Sequence, residues 1–308
     1  MSCLRVVTLN AASCFEPGWP ERRAELLAWL DRLDPDVVCL QETWEDATTP
    51  NTGAQVAAGA SPGRWHHVSG GLPLPERMRR GPGLLFGSTI LSRWPIDASA
   101  LVPLVADDRP DPPHPGWELR VELLHARTAG LDVFSTHLAP PPGQGFLRVR
   151  QAVQVDEEIG RRADPGAAVP PILCGDFNAE HDADEIRFLA GLTIVDGRST
   201  YYQEAWRAAG RTDPGCTWDG RANPLAATLH LPPKRIDFVF VGDPYRRPGG
   251  AGLVEAADLA FHQPLTGVLA SDHFGVVADI RWPQRPARPS SRTGARKQRK
   301  TQGTRASS

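Results

Sequence analysis

The apolar residues of this chain fall into short runs, and most of these runs end on or beside an asparagine, an acidic residue or a histidine. Residues 3–10 (CLRVVTLN), 36–42 (DVVCLQE), 84–92 (LLFGSTILS), 170–178 (PPILCGDFN), 235–242 (RIDFVFVG) and 271–282 (SDHFGVVADIRW) each have strand length. Their apolar cores fall far short of the roughly 20 residues that cross a bilayer. WELRVELLHA and GLDVFSTHL form a hairpin pair around residues 128–130. Helical periodicity is rarer. Pro20 opens one helix, with Leu26, Leu30 and Leu33 on a single stripe and Asp34-Pro35 stopping it. A second begins at Phe146, with Phe146, Val149 and Val153 on one face, and a third lies near residues 184–190. Residues 46–82 hold many Gly and Pro residues and read as loops around a short strand near 65–68, while Trp94-Pro95 ends the 84–92 strand. Adjacent strands with single helices between some of them predict an α+β protein of layered sheets and helices. At 308 residues the chain can bury a sizeable core, and one domain over residues 1–282 is expected.

Charge is unevenly distributed. Residues 283–308 carry eight basic side chains and no acidic one, which leaves residues 1–282 near −10 when the formal charge is −2. The terminal stretch is poor in apolar residues and is expected to be a disordered basic tail, either merely solvated or an arm for nucleic acid or an anionic membrane. The five cysteines (Cys3, Cys14, Cys39, Cys174, Cys216) show no C-x-x-C spacing. Buried free thiols are therefore expected rather than zinc or redox pairs. Without a basic, apolar leader at Met1, the expectation is a soluble, cytoplasmic monomer with no transmembrane segment.

Asn10, Glu42, His137, Asp176, Asn178, Asp237, Asp272 and His273 all stand at or beside strand ends. One such residue normally caps a loop; so many together point to a shared loop surface that carries chemistry. The order TLN (8–10), QE (41–42), GSTILSRWPI (87–96), STHL (135–138), GDFN (175–178), RIDFVF (235–240) and SDH (271–273) resembles the endonuclease/exonuclease/phosphatase superfamily. That group includes deoxyribonuclease I-like nucleases, apurinic-site endonucleases, neutral sphingomyelinases and inositol-phosphate phosphatases. The resemblance spans residues 3–282, and Arg148-x-x-Gln151 after STHL fits it as well. It implies a four-layer α/β sandwich, with two mostly antiparallel sheets packed face to face and helices outside.

The resemblance also implies roles. Asn10, Glu42 and Asp272 would belong to a site for Mg²⁺ or Mn²⁺, which an oxygen-rich donor set suits. Asp176 would orient the attacking water, Asn178 would hold a phosphate oxygen, and His273 would act as base with Asp237 fixing its tautomer. His137 would bond the phosphate and protonate the leaving oxygen. Arg93, Asn178 and Trp218 are expected to touch substrate, and Trp44 is a further candidate for the cleft wall. Two positions depart from the family pattern. Ala12 stands where some members carry an acidic residue, and Glu76 is the one candidate partner for His137 near residues 76–86. The expected activity is hydrolysis of a phosphate ester by an activated water. Nuclease, lipid phosphodiesterase and small-metabolite phosphatase remain open, as does an inactive relative used for binding. Lys234 is the single lysine outside the tail, so a nuclease groove would rely on arginines such as Arg77, Arg79, Arg80 and Arg93.

Overall fold

The structure is a computed structural model and describes residues 2–12, 16–61, 63–74, 83–107 and 119–289. The expectations on Cys14, Glu76, Arg77, Arg79, Arg80 and the tail beyond residue 289 lie outside these residues. In chain order the strands are β1 (Cys3–Asn10), β2 (Val37–Glu45), β3 (His66–Ser69), β4 (Leu72–Pro73) and β5 (Leu85–Ser92). They continue as β6 (Ile96–Pro103), β7 (Glu122–Thr128), β8 (Leu131–His137), β9 (Ile172–Asp176), β10 (Tyr202–Glu204), β11 (Asp237–Gly242), β12 (Val254–Ala260) and β13 (Gly275–Arg281). The α-helices are α1 (Trp19–Leu33), α2 (Thr52–Gly59), α3 (Gly145–Arg162), α4 (Asp184–Leu189) and α5 (Ala205–Ala208).

One sheet runs β12-β13-β1-β2-β5-β3 with β4 beside β5, and the other β10-β11-β9-β8-β7-β6. Each is antiparallel except for one parallel pair, β1–β2 in the first and β8–β9 in the second. A helix makes each parallel crossover, α1 in one and α3 in the other. Alternation along the strands then builds four layers. Leu4, Val6, Val37 and Cys39 of the first sheet meet Leu124, Val133, Ile172, Cys174 and Val239 of the second. Outside the first sheet, Val7, Leu9 and Leu40 pack against Leu26, Trp29 and Leu30 of α1. Outside the second, Phe134, Leu173 and Phe240 pack against Val155 and Ile159 of α3 and Phe188 of α4. The fold is the expected four-layer α/β sandwich. Among the described residues no helix is long and apolar enough to cross a membrane.

The 128–130 hairpin forms at Ala129 and Gly130, whose φ values of 50° and 75° give the twist a two-residue connection needs. Four readings are corrected. Residues 52–59, read as loop, are α2, started by Asn51 Oδ1 accepting from Gly53 N at 2.9 Å and Ala54 N at 3.2 Å. After the Trp94-Pro95 corner the chain enters a further strand, β6. That strand and β12 are edge strands of mixed, part-exposed residues and so lack a continuous apolar run. In α3 the buried face is Leu147, Arg148, Gln151, Ala152, Val155 and Ile159, whereas Phe146 is exposed. Finally, ordered packing passes residue 282. Arg285 and Arg288 pair with Asp36, and the Ala287 carbonyl accepts from Trp94 Nε1 at 3.1 Å.

Glu122 joins the two sheets at its strand's start. Its Oε1 accepts from Ser88 N of β5 at 2.9 Å, while Oε2 has no hydrogen-bond partner among the described residues. Burial pushes this carboxyl up to about 7, against the Ser88 and Gly71 amides that favour its charged form. A folded pKa above the unfolded value means stability is fully present below about pH 4.5 and falls as pH rises through about 7. Relative to Glu122→Gln, the native protein should therefore lose on the order of 3 kcal/mol between pH 5 and 8. Denaturant unfolding of both proteins across that range measures it, and parallel pH profiles would contradict it.

Candidate active site

Strand parity decides which end residues reach the inner layer. Leu4 and Val6 point between the sheets, so Asn10 shares their face of β1. The same alternation carries His137 with Leu131 and Val133, Asp176 with Ile172 and Cys174, and Asp237 with Val239 and Val241. Asn10, His137 and Asp176 end their strands and Asp237 starts an antiparallel one, so all four meet at one end of the sandwich. Pairing sets their spacing, with His137 opposite Asp176 and Asp176 opposite Asp237. Gly175 permits it. A Cβ there would collide with the Thr136 carbonyl, so only glycine lets β9 approach β8 at this level.

Glu42 reaches the same place against parity. On β2 the inward row is Val37, Cys39 and then Gln41, whose Nε2 donates to Ser135 Oγ at 3.0 Å. The register of β2 with β5 shifts between Leu40 and Thr43, and Glu42 takes a left-handed φ of 56°. This irregularity turns its carboxylate onto the cleft that His137, Asp176, Asn178, Asp272 and His273 also line. The cleft encloses about 420 Å³.

Asp176 is the hub. Its Oδ2 accepts from Asn10 Nδ2 at 3.0 Å, and its Oδ1 from Asn178 N at 2.8 Å. His137 Nε2 and His273 Nε2 approach Oδ2 to 3.6 and 3.8 Å, too far for direct hydrogen bonds. A small oxygen-bearing group between them would contact both rings and the carboxylate. Asn178 holds a φ of 50°, tolerable for asparagine, and its Nδ2 donates to Leu138 O at 3.0 Å. His273 Nδ1 lies 2.9 Å from Asp237 Oδ2, which leaves Nε2 facing the cleft. Burial opposes charge on this ring, but Asp237 and Asp176 outweigh it and hold the pKa up at about 10. His137 is displaced the other way: burial lowers it, against the pull of Asp176. The two rings are thus displaced in opposite directions, His273 toward its charged form and His137 toward its neutral one.

Three supports had no sequence signal beyond the motifs themselves. Ser271 Oγ donates to Asn10 O at 2.6 Å and accepts from His273 N at 3.1 Å. Thr217, in a loop without periodicity, accepts from Asp237 N through Oγ1 and from Phe274 N through its carbonyl. Arg22 of α1, 3% exposed, donates to the carbonyls of Ala11, Ala12 and Ala270 and so ties the segment after Asn10 to the one before Asp272. Trp218 does line the cleft, its ring edge-on to His273 at 4.9 Å. Trp44 packs instead with Leu74, Leu84 and Phe86. Arg93 is absent from the cleft. β5 runs antiparallel to β2 and sets Ser92 against Val37, at the opposite end from Glu42. There Arg93 pairs with Asp34 and stacks over Trp65 at 4.5 Å.

Glu42 and Asp272 present carboxylates to one cleft, and burial with the Asp272 charge pushes the Glu42 carboxyl up to about 8. A cation between them would offset both the burial and the repulsion, so this oxygen-rich pair fits a hard divalent ion. Asn10 fits as support. Its Oδ1 accepts from Ala12 N at 3.0 Å and its Nδ2 donates to Asp176 Oδ2 at 3.0 Å, which holds that carboxylate in place. Among the described residues, Asp176, Asp237 and His273 also bring potential ligand atoms within 4.8 Å of one another. Asp237 and His273, however, are already hydrogen-bonded to each other.

A model of the Endonuclease/Exonuclease/phosphatase family matches residues 7–273. No curated protein sequence matches significantly. Among solved structures, D. rerio TDP2 complexed with single strand DNA product superposes with a TM-score of 0.67 at 19% identity, over 92% of this chain and 100% of that one. The human Nocturnin catalytic domain with bound sulfate anion gives 0.62 at 19% identity, over 91% and 93%. The endonuclease/exonuclease/phosphatase from Beutenbergia cavernae gives 0.60 at 27% identity, over 91% of this chain and 71% of that chain.

Proposed function

The chain belongs to the Endonuclease/Exonuclease/phosphatase family, and from that premise we propose that it is a Mg²⁺- or Mn²⁺-dependent hydrolase of phosphate esters acting by in-line attack of water. The observation that carries this reading is the convergence of Glu42, His137, Asp176, Asp272 and His273 on one cleft, with Asp237 bonded behind His273. A divalent cation held by Glu42 and Asp272 would supply positive charge to the phosphate oxygens. The protein's own groups do the rest. Asp176 Oδ2, which faces the cleft, orients a water and takes its proton as the water oxygen bonds to phosphorus and the ester P–O bond in line with it breaks. His273, fixed through Nδ1 and held toward its charged form, offers Nε2–H to the phosphate oxygens and yields that proton to the departing ester oxygen, while His137 offers a second donor. Asn178 retains one amide hydrogen after its bond to Leu138.

Nucleic acid is the alternative substrate most in need of a test, since D. rerio TDP2 was solved with a single strand DNA product. Against it, residues 1–282 are acidic, and among the described residues Lys234 is the one basic residue lining this cleft apart from the two histidines. A panel of bis-p-nitrophenyl phosphate, single-stranded and duplex DNA, and sphingomyelin vesicles separates the classes. The proposal expects bis-p-nitrophenyl phosphate to be hydrolysed with added Mg²⁺ or Mn²⁺. No turnover of any member would overturn it.

A further inference from the structure

One wall of the cleft contributes nothing to the chemistry described above. It is built by Trp218, Leu231 and Ile236, which pack with Ala226, and it continues through Leu229, 54% exposed. Lys234 projects from this wall. Its backbone is fixed by reciprocal bonds with Trp218, each 2.9 Å from N to O. The next residue shows what Lys234 is not used for. Arg235 turns inward, where Nη1 lies 2.7 Å from Glu204 Oε1 and the guanidinium stacks on Phe238 at 5.1 Å. Consecutive residues of an extended segment point to opposite sides, so Lys234 faces the cleft while Arg235 faces the protein. Among the described residues no carboxylate lies within ion-pair distance of Lys234.

An ammonium on an apolar wall, with no carboxylate within ion-pair distance among the described residues, is poised for a ligand anion. The reacting phosphate is already provided for by His137, His273 and the Glu42–Asp272 pair, so Lys234 has no part in holding it. A cavity of about 420 Å³ suits a ligand of nucleotide size. Resting on the proposed phosphoesterase reading, we propose that Lys234, with Trp218 and Leu231, forms a subsite for a second anionic group of the substrate, whose apolar body lies on the wall between that group and the scissile phosphate. The anion is a phosphate or carboxylate. It could come from a terminal phosphate of a small ester or from the next phosphate of a strand.

Three esters distinguish these sources: the 5′-p-nitrophenyl ester of thymidine monophosphate, the same ester carrying a 3′-phosphate, and the same ester extended through a 3′-phosphodiester to a second thymidine. The native protein should favour the 3′-phosphorylated ester by about tenfold in kcat/KM, chiefly through KM. An equal gain with the dinucleotide assigns the site to strand phosphates, and no gain there assigns it to terminal ones. Lys234→Met, which keeps the apolar stem, should abolish the preference, and Lys234→Arg should retain most of it. Equal kcat/KM for all three esters, or a preference that survives in Lys234→Met, overturns the subsite while leaving the phosphoesterase reading intact. Hydrolysis of none of them overturns the subsite, and the phosphoesterase reading falls with it only where bis-p-nitrophenyl phosphate is also left intact.

Discussion

Replacing His273 with alanine is expected to lower kcat for a phosphodiester by roughly 10³-fold or more, with KM changed far less. The expectation follows from placement. Nδ1 is bonded to buried Asp237 at 2.9 Å, Nε2 points at the cleft 3.8 Å from Asp176 Oδ2, and the surrounding carboxylates hold the ring charged. Losing the ring removes a positive donor that acts most strongly as charge builds on the phosphate oxygens, which is why turnover falls rather than binding. It also strands Asp237, fully buried and left with a carboxylate lacking its partner. Thermal unfolding of the variant therefore belongs beside the kinetics. Asp237→Asn provides the companion measurement, because it keeps the imidazole while weakening its charged form. Its kcat should fall by about 10²-fold, less than for His273→Ala. Wild-type turnover in either variant would remove the pair from the chemistry.

The same period-2 alternation that sorts Val6 inward and Val7 outward also delivers Asn10, His137, Asp176 and Asp237 to the inner layer. A reader of the sequence who places a polar residue at the end of each apolar run has thus already found most of the site. Glu42 was legible only as a motif, since alternation alone would send it outward and the irregularity at residues 40–43 is a matter of pairing with β5. Arg93 was misassigned for a related reason. Closeness to a motif along the chain says nothing about which end of the sheet an antiparallel strand delivers. The edge strands β6 and β12 and the short helix α2 bury too few side chains to leave a pattern. In α3 the misleading residue was Phe146, an exposed aromatic that marks a face by size although the packed stripe starts one residue later at Leu147. The Lys234 wall was invisible for want of any repeat. It depends on a backbone bridge between Trp218 and Lys234, two positions joined only by folding.

The second large effect concerns the cation. Glu42 and Asp272 share a cleft with Asp176, and burial together with Asp272 makes ionisation of Glu42 unfavourable without a counter-charge. Glu42→Gln keeps the shape and one oxygen but removes the charge. The Mg²⁺ concentration for half-maximal rate should therefore rise by about 10- to 100-fold. The direct measurement is p-nitrophenolate release from bis-p-nitrophenyl phosphate by the native protein in excess EDTA, followed by stepwise return of Mg²⁺ or Mn²⁺. Release should fall to the uncatalysed background in chelator and recover as either ion is restored. Release that continues undiminished in chelator, from protein freed of bound metal, would contradict the account at its centre.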